Sequence, residues 1–453
     1  MTIAEKFAKF LCQTKHDDLP MQALEHAAMV IASTIASAAC GRQIESACII
    51  GDMERARGGA PEASVWFDAG PKLPIVGTAR VNALMSDAAA SDDSDLRNIV
   101  HAGTPLVATA LAAGEAVDAS GQDVLCAIVL GYEAAGRIGE SIMPHFDYRG
   151  HHGCMGATFG STVAAARLFG LDEMQTAHAL ALTATSIGGL TKAANTSIAR
   201  EYHAGNATML GIEAAQATRR GYTAELAIFE VERGFCQLYG GSDGSIILQD
   251  LGKSWDIITD LALKLVPGGH PYHAIGEAAA NAASEGNIEP EEVAAIIVSR
   301  PSMTELTGPL HPKDLIDMAH SPAYFAAAGV RDRAFGWEHA GQDKIDDPVI
   351  HMLIDKVRVG PEPVKDLERY RQGASVRIET IDGRTVSNIV FAPKGAGCLG
   401  IDWADVETKY RELMPSAMLS ETQISDSFSV IREINYLTEI SSLIDHIKIK
   451  IND

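Results

Sequence analysis

The sequence predicts a mainly α protein: a large all-helical domain built on a helical bundle, plus a smaller inserted α+β domain. Three observations carry that prediction. Alanine-rich segments with helical periodicity follow one another from about residue 20 to 250. The character then changes near Pro267 to short runs rich in Val and Ile, and helical spacing returns at Trp403. Finally, 453 residues exceed one ordinary domain, and aromatics make up only 6% of them, which favours closely packed helices over a large sheet. The expected boundaries are residues 1–265 with 396–453 for the discontinuous helical domain, and 266–395 for the α+β domain.

In chain order, Leu19 to Ala39 is apolar at helical spacing and closes at Gly41. Pro105 opens a segment that ends near Gly121, and Gln122 to Ile142, Gly156 to Phe169 and Glu173 to Ile187 continue in the same style. Gly170-Leu171-Asp172 reads as a helix stop followed by an N-cap. Asn206 to Arg220 and Thr223 to Arg233 complete the series. Many of these segments are apolar nearly all round, which implies burial on several sides. Val293 to Ser299, Val357 to Val359 and Ser375 to Val390 read as strands. In the last, Asp382-Gly383 between alternating runs predicts a two-residue hairpin turn with positive φ at both positions.

A net charge of -22 disfavours nucleic acid or an anionic membrane as partner, and no uninterrupted apolar run approaches the roughly 20 residues of a membrane span. The N-terminus lacks a signal-peptide layout. Cys12, Cys40, Cys48, Cys126, Cys154, Cys236 and Cys398 are dispersed without a C-x-x-C pair, which suits free thiols in a reducing cytoplasm and speaks against a thiolate metal site. Nucleotide-binding glycine motifs are absent, so nucleotide cofactors lack a sequence handle, and H-E-x-x-H and G-x-S-x-G are absent too.

Candidate chemistry concentrates in four segments. Asp92-Asp93-Ser94-Asp95 precedes His101-Ala102-Gly103, and carboxylates near an imidazole can orient it; the plainer reading is a solvated polar helix end. His151-His152 lies in Tyr148-Arg149-Gly150-His151-His152-Gly153-Cys154, read as a glycine-rich loop before a buried helix, or else a solvated loop or accidental metal site. Arg200 and His203 stand just before an apolar helix; Arg200 can clamp a carboxylate but not exchange a proton, or it is a surface cation. Lys264, His270 and His273 fall where the helical region meets the inserted domain, a favoured place for a small-molecule pocket, or a hinge with a buried histidine. Together they suggest carboxylate binding with acid–base chemistry.

The order and spacing of these segments resemble the MmgE/PrpD family, from about residue 20 to 415. The resemblance rests on Gly131-Tyr132-Glu133, Arg137-Ile138-Gly139, Phe159-Gly160, Tyr202-His203-Ala204-Gly205, and Lys264, Pro267 and His273 in a K-x-x-P-x5-H pattern. Ser321-Pro322-Ala323-Tyr324, Asp355-Lys356-Val357-Arg358-Val359 and Asp382-Gly383-Arg384-Thr385 complete it. It implies a homodimer with no cofactor, an active site between two domains, and a lyase or epimerase acting on a small anionic polycarboxylate. It further implies His101, His151 or His152, Lys264 and His273 as catalytic residues, with Asp93, Arg200, His203 and His270 near the substrate. Two departures stand out: Ser91-Asp92-Asp93-Ser94-Asp95 and His101-Ala102-Gly103 replace the family's Asp-Phe-Asp-Asp-Thr and His-Pro-Ser, and Arg200 replaces a lysine. A carboxylate-binding protein whose catalytic site has drifted is the rival reading.

Overall fold

Small side chains set how closely the helices of this protein pack. A computed structural model describes residues 1–143, 150 and 152–449, except for the side chains of 152, 153 and 195. The chain is mainly α and divides into two units. The helical unit comprises Met1–Ala194, Ile198–Leu263 and Ile401–Asp453; the α+β unit comprises Asn195–Ser197 and Lys264–Gly400.

In the helical unit α1 (Ile3–Gln13), α2 (Met21–Gly41), α3 (Glu45–Arg57) and α4 (Ile75–Ala88) lead into a three-residue strand, β1 (Asp93–Asp95). Then come α5 (Gly103–Ala116), α6 (Gly121–Ser141), α7 (His152–Leu168), α8 (Glu173–Ser186), α9 (Thr191–Thr196) and α10 (Ala199–Arg219). α11 (Phe235–Gly240), α12 (Asp256–Thr259) and β2 (Leu261–Leu263) close this stretch. α7 packs on α5, α6, α8 and α10, and α4 packs on α2, α5 and α10. The α6–α7 crossing is close because Gly131 faces Gly160: a Cβ on Gly131 would lie 2.9 Å from the Gly160 carbonyl oxygen. Helix α2 is long and apolar enough to cross a membrane by length and composition alone, yet most of its residues are buried inside this unit.

Three segments depart from the expected pattern. α7 starts at His152 and α10 at Ala199, several residues before the expected starts at Gly156 and Asn206. His152, Arg200 and His203 are therefore helical residues, and the expected pre-helix loops are shorter. Thr223 to Arg233 forms turns, not a helix. There Phe229 is pulled into a ring cluster with Phe159 and Phe235, and Phe235 N–H donates to the Ile228 carbonyl (2.7 Å), so tertiary contacts override the local periodicity. The Asp172 cap forms as expected, its carboxylate accepting from Gln175 N–H at 2.8 Å.

The α+β unit begins with α13 (His270–Gly286) and β3 (Val293–Ser299), followed by α14 (Leu315–Ala319), α15 (Pro322–Asp332), α16 (Gln342–Ile345) and α17 (Pro348–Ile354). β4 (Val357–Val359), β5 (Ala374–Thr380) and β6 (Thr385–Val390) complete a sheet of order β4-β3-β5-β6, in which only β3–β4 is parallel. β5 alternates as a half-buried strand should, with Ala374, Val376, Ile378 and Thr380 inward, and α13 covers β5 and β6. The β5–β6 turn is longer than expected. Only Gly383 has positive φ (91°), while Asp382 instead accepts from the Thr380 hydroxyl and Arg384. The chain ends in the helical unit with α18 (Trp403–Leu413), α19 (Glu421–Arg432) and α20 (Ser441–Ile447); α18 and α19 pack on α2.

Candidate active site

Asp-Ser-Asp is a poor strand sequence, yet residues 93–95 form β1, buried and antiparallel to β2 with Asp93 opposite Leu263. Pairing with the apolar Leu261-Ala262-Leu263 satisfies its backbone where water cannot reach. The acids are thus neither solvated nor at a helix end. Just before β1, the Ser91 carbonyl accepts from the Ser37 hydroxyl (2.8 Å) and from the buried Lys409 ammonium. After β1, a tight loop holds His101. Asp95 Oδ1 accepts from Arg97 N–H (2.8 Å) and Asn98 N–H (3.2 Å), and the Asn98 amide donates to the Gly136 carbonyl (2.7 Å).

Within that frame the His101 Nδ1–H donates to the Asp93 carbonyl (2.9 Å), and Asp92 Oδ2 lies 2.7 Å from the same nitrogen. Nδ1 is therefore the protonated nitrogen of the neutral ring, and Nε2 carries the lone pair. Asp92 is buried, while about a quarter of the His101 side chain is accessible. Such an arrangement can take or return a proton through Nε2, with a carboxylate to steady the charge.

The Asp93 carboxylate has a different task. It accepts from Gly103 N–H, the first helical residue of α5, at 2.9 and 3.1 Å, and from the Tyr132 hydroxyl at 3.1 Å. Burial and then Asp92 push it up to about 6, against the pull of the Gly103 N–H, His101 and Tyr132. Its side chain ties β1 to α5 and α6, and its carbonyl sets the ring of His101.

Arg200 lies one turn before His203 on α10. Its Nε is 3.1 Å from Asp87 Oδ2, and one terminal nitrogen donates to the carbonyls of Asp87 (2.7 Å) and Ala88 (3.2 Å). Burial works against its charge, but Asp87, Glu201 and Asp92 outweigh that and hold the guanidinium protonated. Burial and Asp87 push Glu201 up to about 7 against Arg200, and burial lowers His203. Cys154, within the electrostatic reach of Asp87, Asp92 and Arg200, is held as a neutral thiol by burial. Asp87, Asp92, Arg200 and Glu201 therefore form one buried cluster of ionisable groups, with the partly accessible His101 beside Asp92. Asp87 and Glu201 escaped the sequence reading, although a lone acid in the apolar helix α4 was a usable signal.

In the α+β unit Lys264 directly follows β2 and is buried, at 3% exposure. His270 opens α13, fully buried, its ring centroid 4.7 Å from that of His273. His273 Nε2–H donates to the Gly268 carbonyl (3.3 Å), and its ring lies 5.8 Å from Phe325. His151 lies outside the described residues, as does the side chain of His152. A cavity of about 420 Å³ in the helical unit is lined by Arg97, Asn98, Glu140, Met143, Ser242 and Asp243 among others, and by none of the candidate residues. Size alone does not make it the chemical centre; the candidate acid–base groups lie in the cluster around His101.

Residues 5–245 match the MmgE/PrpD N-terminal domain and residues 267–429 the MmgE/PrpD C-terminal domain. The chain belongs to the MmgE/PrpD family. Among similar proteins of this family is the cis-aconitate decarboxylase of Homo sapiens, 24% identical over 98% of this chain and 94% of its own length. A cis-aconitate decarboxylase-like protein of Aspergillus oryzae is 25% identical over 92% of each chain. The cis-aconitate decarboxylase of Aspergillus terreus is 24% identical over 95% of this chain and 92% of its own. The family match spans both units and includes every candidate residue except Lys264, which falls in the gap between the two matched segments.

Proposed function

We propose that this protein is a cofactor-independent lyase that acts on a small di- or tricarboxylate, with decarboxylation of a cis-aconitate-like acid as the reaction. The observation that carries the proposal is the Asp92–His101 pair, an imidazole whose Nδ1 donates to a carbonyl at 2.9 Å and lies 2.7 Å from a carboxylate oxygen. The names of the three relatives support the tricarboxylate and the loss of CO₂.

In this reading the bond to the departing carboxylate breaks and its electron pair forms a new alkene. The former alkene carbon takes a proton from Nε2 of His101, which solvent has first protonated there, and the ring returns to its neutral Nδ1–H form. The charge that develops during this shift is the main barrier. A cation about 4 Å away contributes roughly 4 kcal/mol at an effective dielectric near 20. Arg200 already serves Asp87 and Glu201, so its proposed role is to balance the acids around His101, and Lys264 is the proposed carboxylate-binding cation. His273, His270, His203 and the His151-His152 pair are proposed contributors to substrate orientation.

The test is proton NMR in D₂O of cis-aconitate, citrate-like and succinate-derived acids with wild type, His101→Ala and Lys264→Ala. The expected result is conversion of a tricarboxylate with loss of CO₂ and one deuteron incorporated, abolished in both variants. Turnover undiminished in His101→Ala would overturn the assignment. Loss of water or inversion without CO₂ release would replace decarboxylase with dehydratase or epimerase. An acid that binds without exchange or turnover would favour a binding protein.

A further inference from the structure

A lysine stands on the buried stripe of α18. Val406, Lys409, Tyr410 and Leu413 follow the spacing i, i+3, i+4 and i+7, and all four are buried in the helical unit. At 2% exposure Lys409 does not bend its ammonium out to water, as a lysine near a surface does. Burying such a charge is costly unless hydrogen bonds or counter-charges offset it. Helix α18 packs on α2, and the ammonium donates to the Ser33 hydroxyl of α2 at 2.7 Å and to the Ser91 carbonyl. The second contact joins residues 318 positions apart. Lys409 falls in the stretch that matches the family's C-terminal domain, yet it sits in the helical unit.

The Ser91 carbonyl belongs to the planar peptide unit that also contains the nitrogen and Cα of Asp92, so whatever holds that oxygen sets where the Asp92 side chain begins. The Ser37 hydroxyl is 2.8 Å from the same oxygen but also 2.9 Å from the Ser33 carbonyl. A hydroxyl has one hydrogen for two such carbonyls, whereas an ammonium has three, and its charge-assisted bonds are the stronger. Lys409 is therefore the firmer hold on Ser91. On the other side of Asp92, the Asp93 carboxylate is tied to Gly103 N–H and the Tyr132 hydroxyl. Asp92 stands between these two anchored neighbours, its Oδ2 2.7 Å from His101 Nδ1. Turning the Ser91–Asp92 peptide would carry that oxygen away from the ring.

We infer that Lys409 is a positioning residue of the proposed lyase: its ammonium fixes the Ser91–Asp92 peptide and so keeps Asp92 beside Nδ1 of His101. The inference rests on the reading of His101 as the proton-exchanging group. Lys409 acts through Asp92 and not on the substrate, so it governs the rate of proton transfer and leaves binding alone. Ser33 holds the ammonium in place from α2. The helix that returns the chain to the helical unit thereby contributes to the candidate site from beneath, through the backbone.

The experiment compares the full-length wild type with Lys409→Met, which keeps nearly the reach of lysine without its charge, and with Ser33→Ala and Lys409→Arg. Circular dichroism and melting temperature report the fold. Nitrogen NMR of protein carrying isotope-labelled histidine reports which ring nitrogen of His101 bears the hydrogen, with His101→Ala to assign the signals. Wild type should show the neutral ring with its hydrogen on Nδ1. Lys409→Met should turn this into a mixture of the two neutral forms, Ser33→Ala should do so to a smaller extent, and Lys409→Arg should restore part of the wild-type signal. With an acid that is turned over, kcat of Lys409→Met should fall by at least about tenfold with KM within about twofold, as expected for a displaced group that does not touch the substrate. Unchanged His101 signals in whichever of Lys409→Met and Ser33→Ala folds would overturn the inference and leave Lys409 a purely structural contact; so would a loss confined to KM. The ring signals need no substrate, so if wild type converts none of the acids the lyase reading fails while those signals still decide the role of Lys409.

Discussion

Replacing Asp92 by asparagine removes one charge from beside His101 while keeping the size and shape of the side chain. At the observed 2.7 Å the Coulomb attraction between Asp92 and a protonated His101 is about 6 kcal/mol at an effective dielectric of 20. That is an upper bound, because Arg200 also acts on Asp92 and a quarter of the imidazole meets solvent. The net worth of a contact to a charged group is about 1.5–3 kcal/mol. If His101 is charged when it delivers the proton, Asp92→Asn should lower kcat about 10- to 150-fold. KM should change little, because Asp92 acts on the ring and not on the substrate. The assay is the initial rate of CO₂ release from whichever acid the NMR panel identifies, for wild type, Asp92→Asn and Asp92→Glu, with melting temperatures recorded for each. A rate for Asp92→Asn within twofold of wild type would refute the Asp92–His101 reasoning. So would a loss that appears entirely in KM.

Three further outcomes follow from the same cluster and from the packing. Glu201 and Asp95 are both pushed up to about 7, and Asp93 to about 6, so each binds a proton in the folded state at a pH where the unfolded chain has lost it. Stability from these groups is complete below their ordinary values and declines as pH rises through 6 and 7. His203, lowered by burial, opposes this below about 6.5, but three carboxylates outweigh one imidazole. The melting temperature should therefore be higher at pH 6 than at pH 8 and depend less on pH in Asp95→Asn; a wild-type curve rising over that range would contradict the sign. Asp87→Ala leaves the buried guanidinium of Arg200 without its carboxylate and should cost about 3–5 kcal/mol in chemical denaturation, whereas a loss under 1 kcal/mol would mean that water replaces the pair. Gly121→Ala should destabilise by about 1–3 kcal/mol or more, although alanine is the better helix former, because its Cβ would sit 1.6 Å from the Ile434 carbonyl oxygen; a gain in melting temperature would refute that packing.

The sequence alone contained the helices α2, α5, α6 and α8, the strands β3 and β5–β6, the Asp172 cap, and the change of character near residue 265. Each is written in side-chain spacing over a few residues, because neighbours at i+3, i+4 or i+2 share a face whatever the rest of the chain does. It also marked His101 and the acids before it as one candidate centre. Only the tertiary structure decided which acid serves which purpose. Asp92 lies beside the imidazole because the carboxylate of Asp93 is drawn to the start of α5 and to Tyr132, 39 residues away. Asp-Ser-Asp becomes a strand only because residues 261–263, more than 160 positions later, supply its partner. Arg200 meets Asp87 across the packed faces of α4 and α10, and Phe229 is drawn from a helical pattern into a ring cluster. Partners distant in sequence leave no mark in local periodicity; a buried charge finds its counter-charge only after the helices have packed.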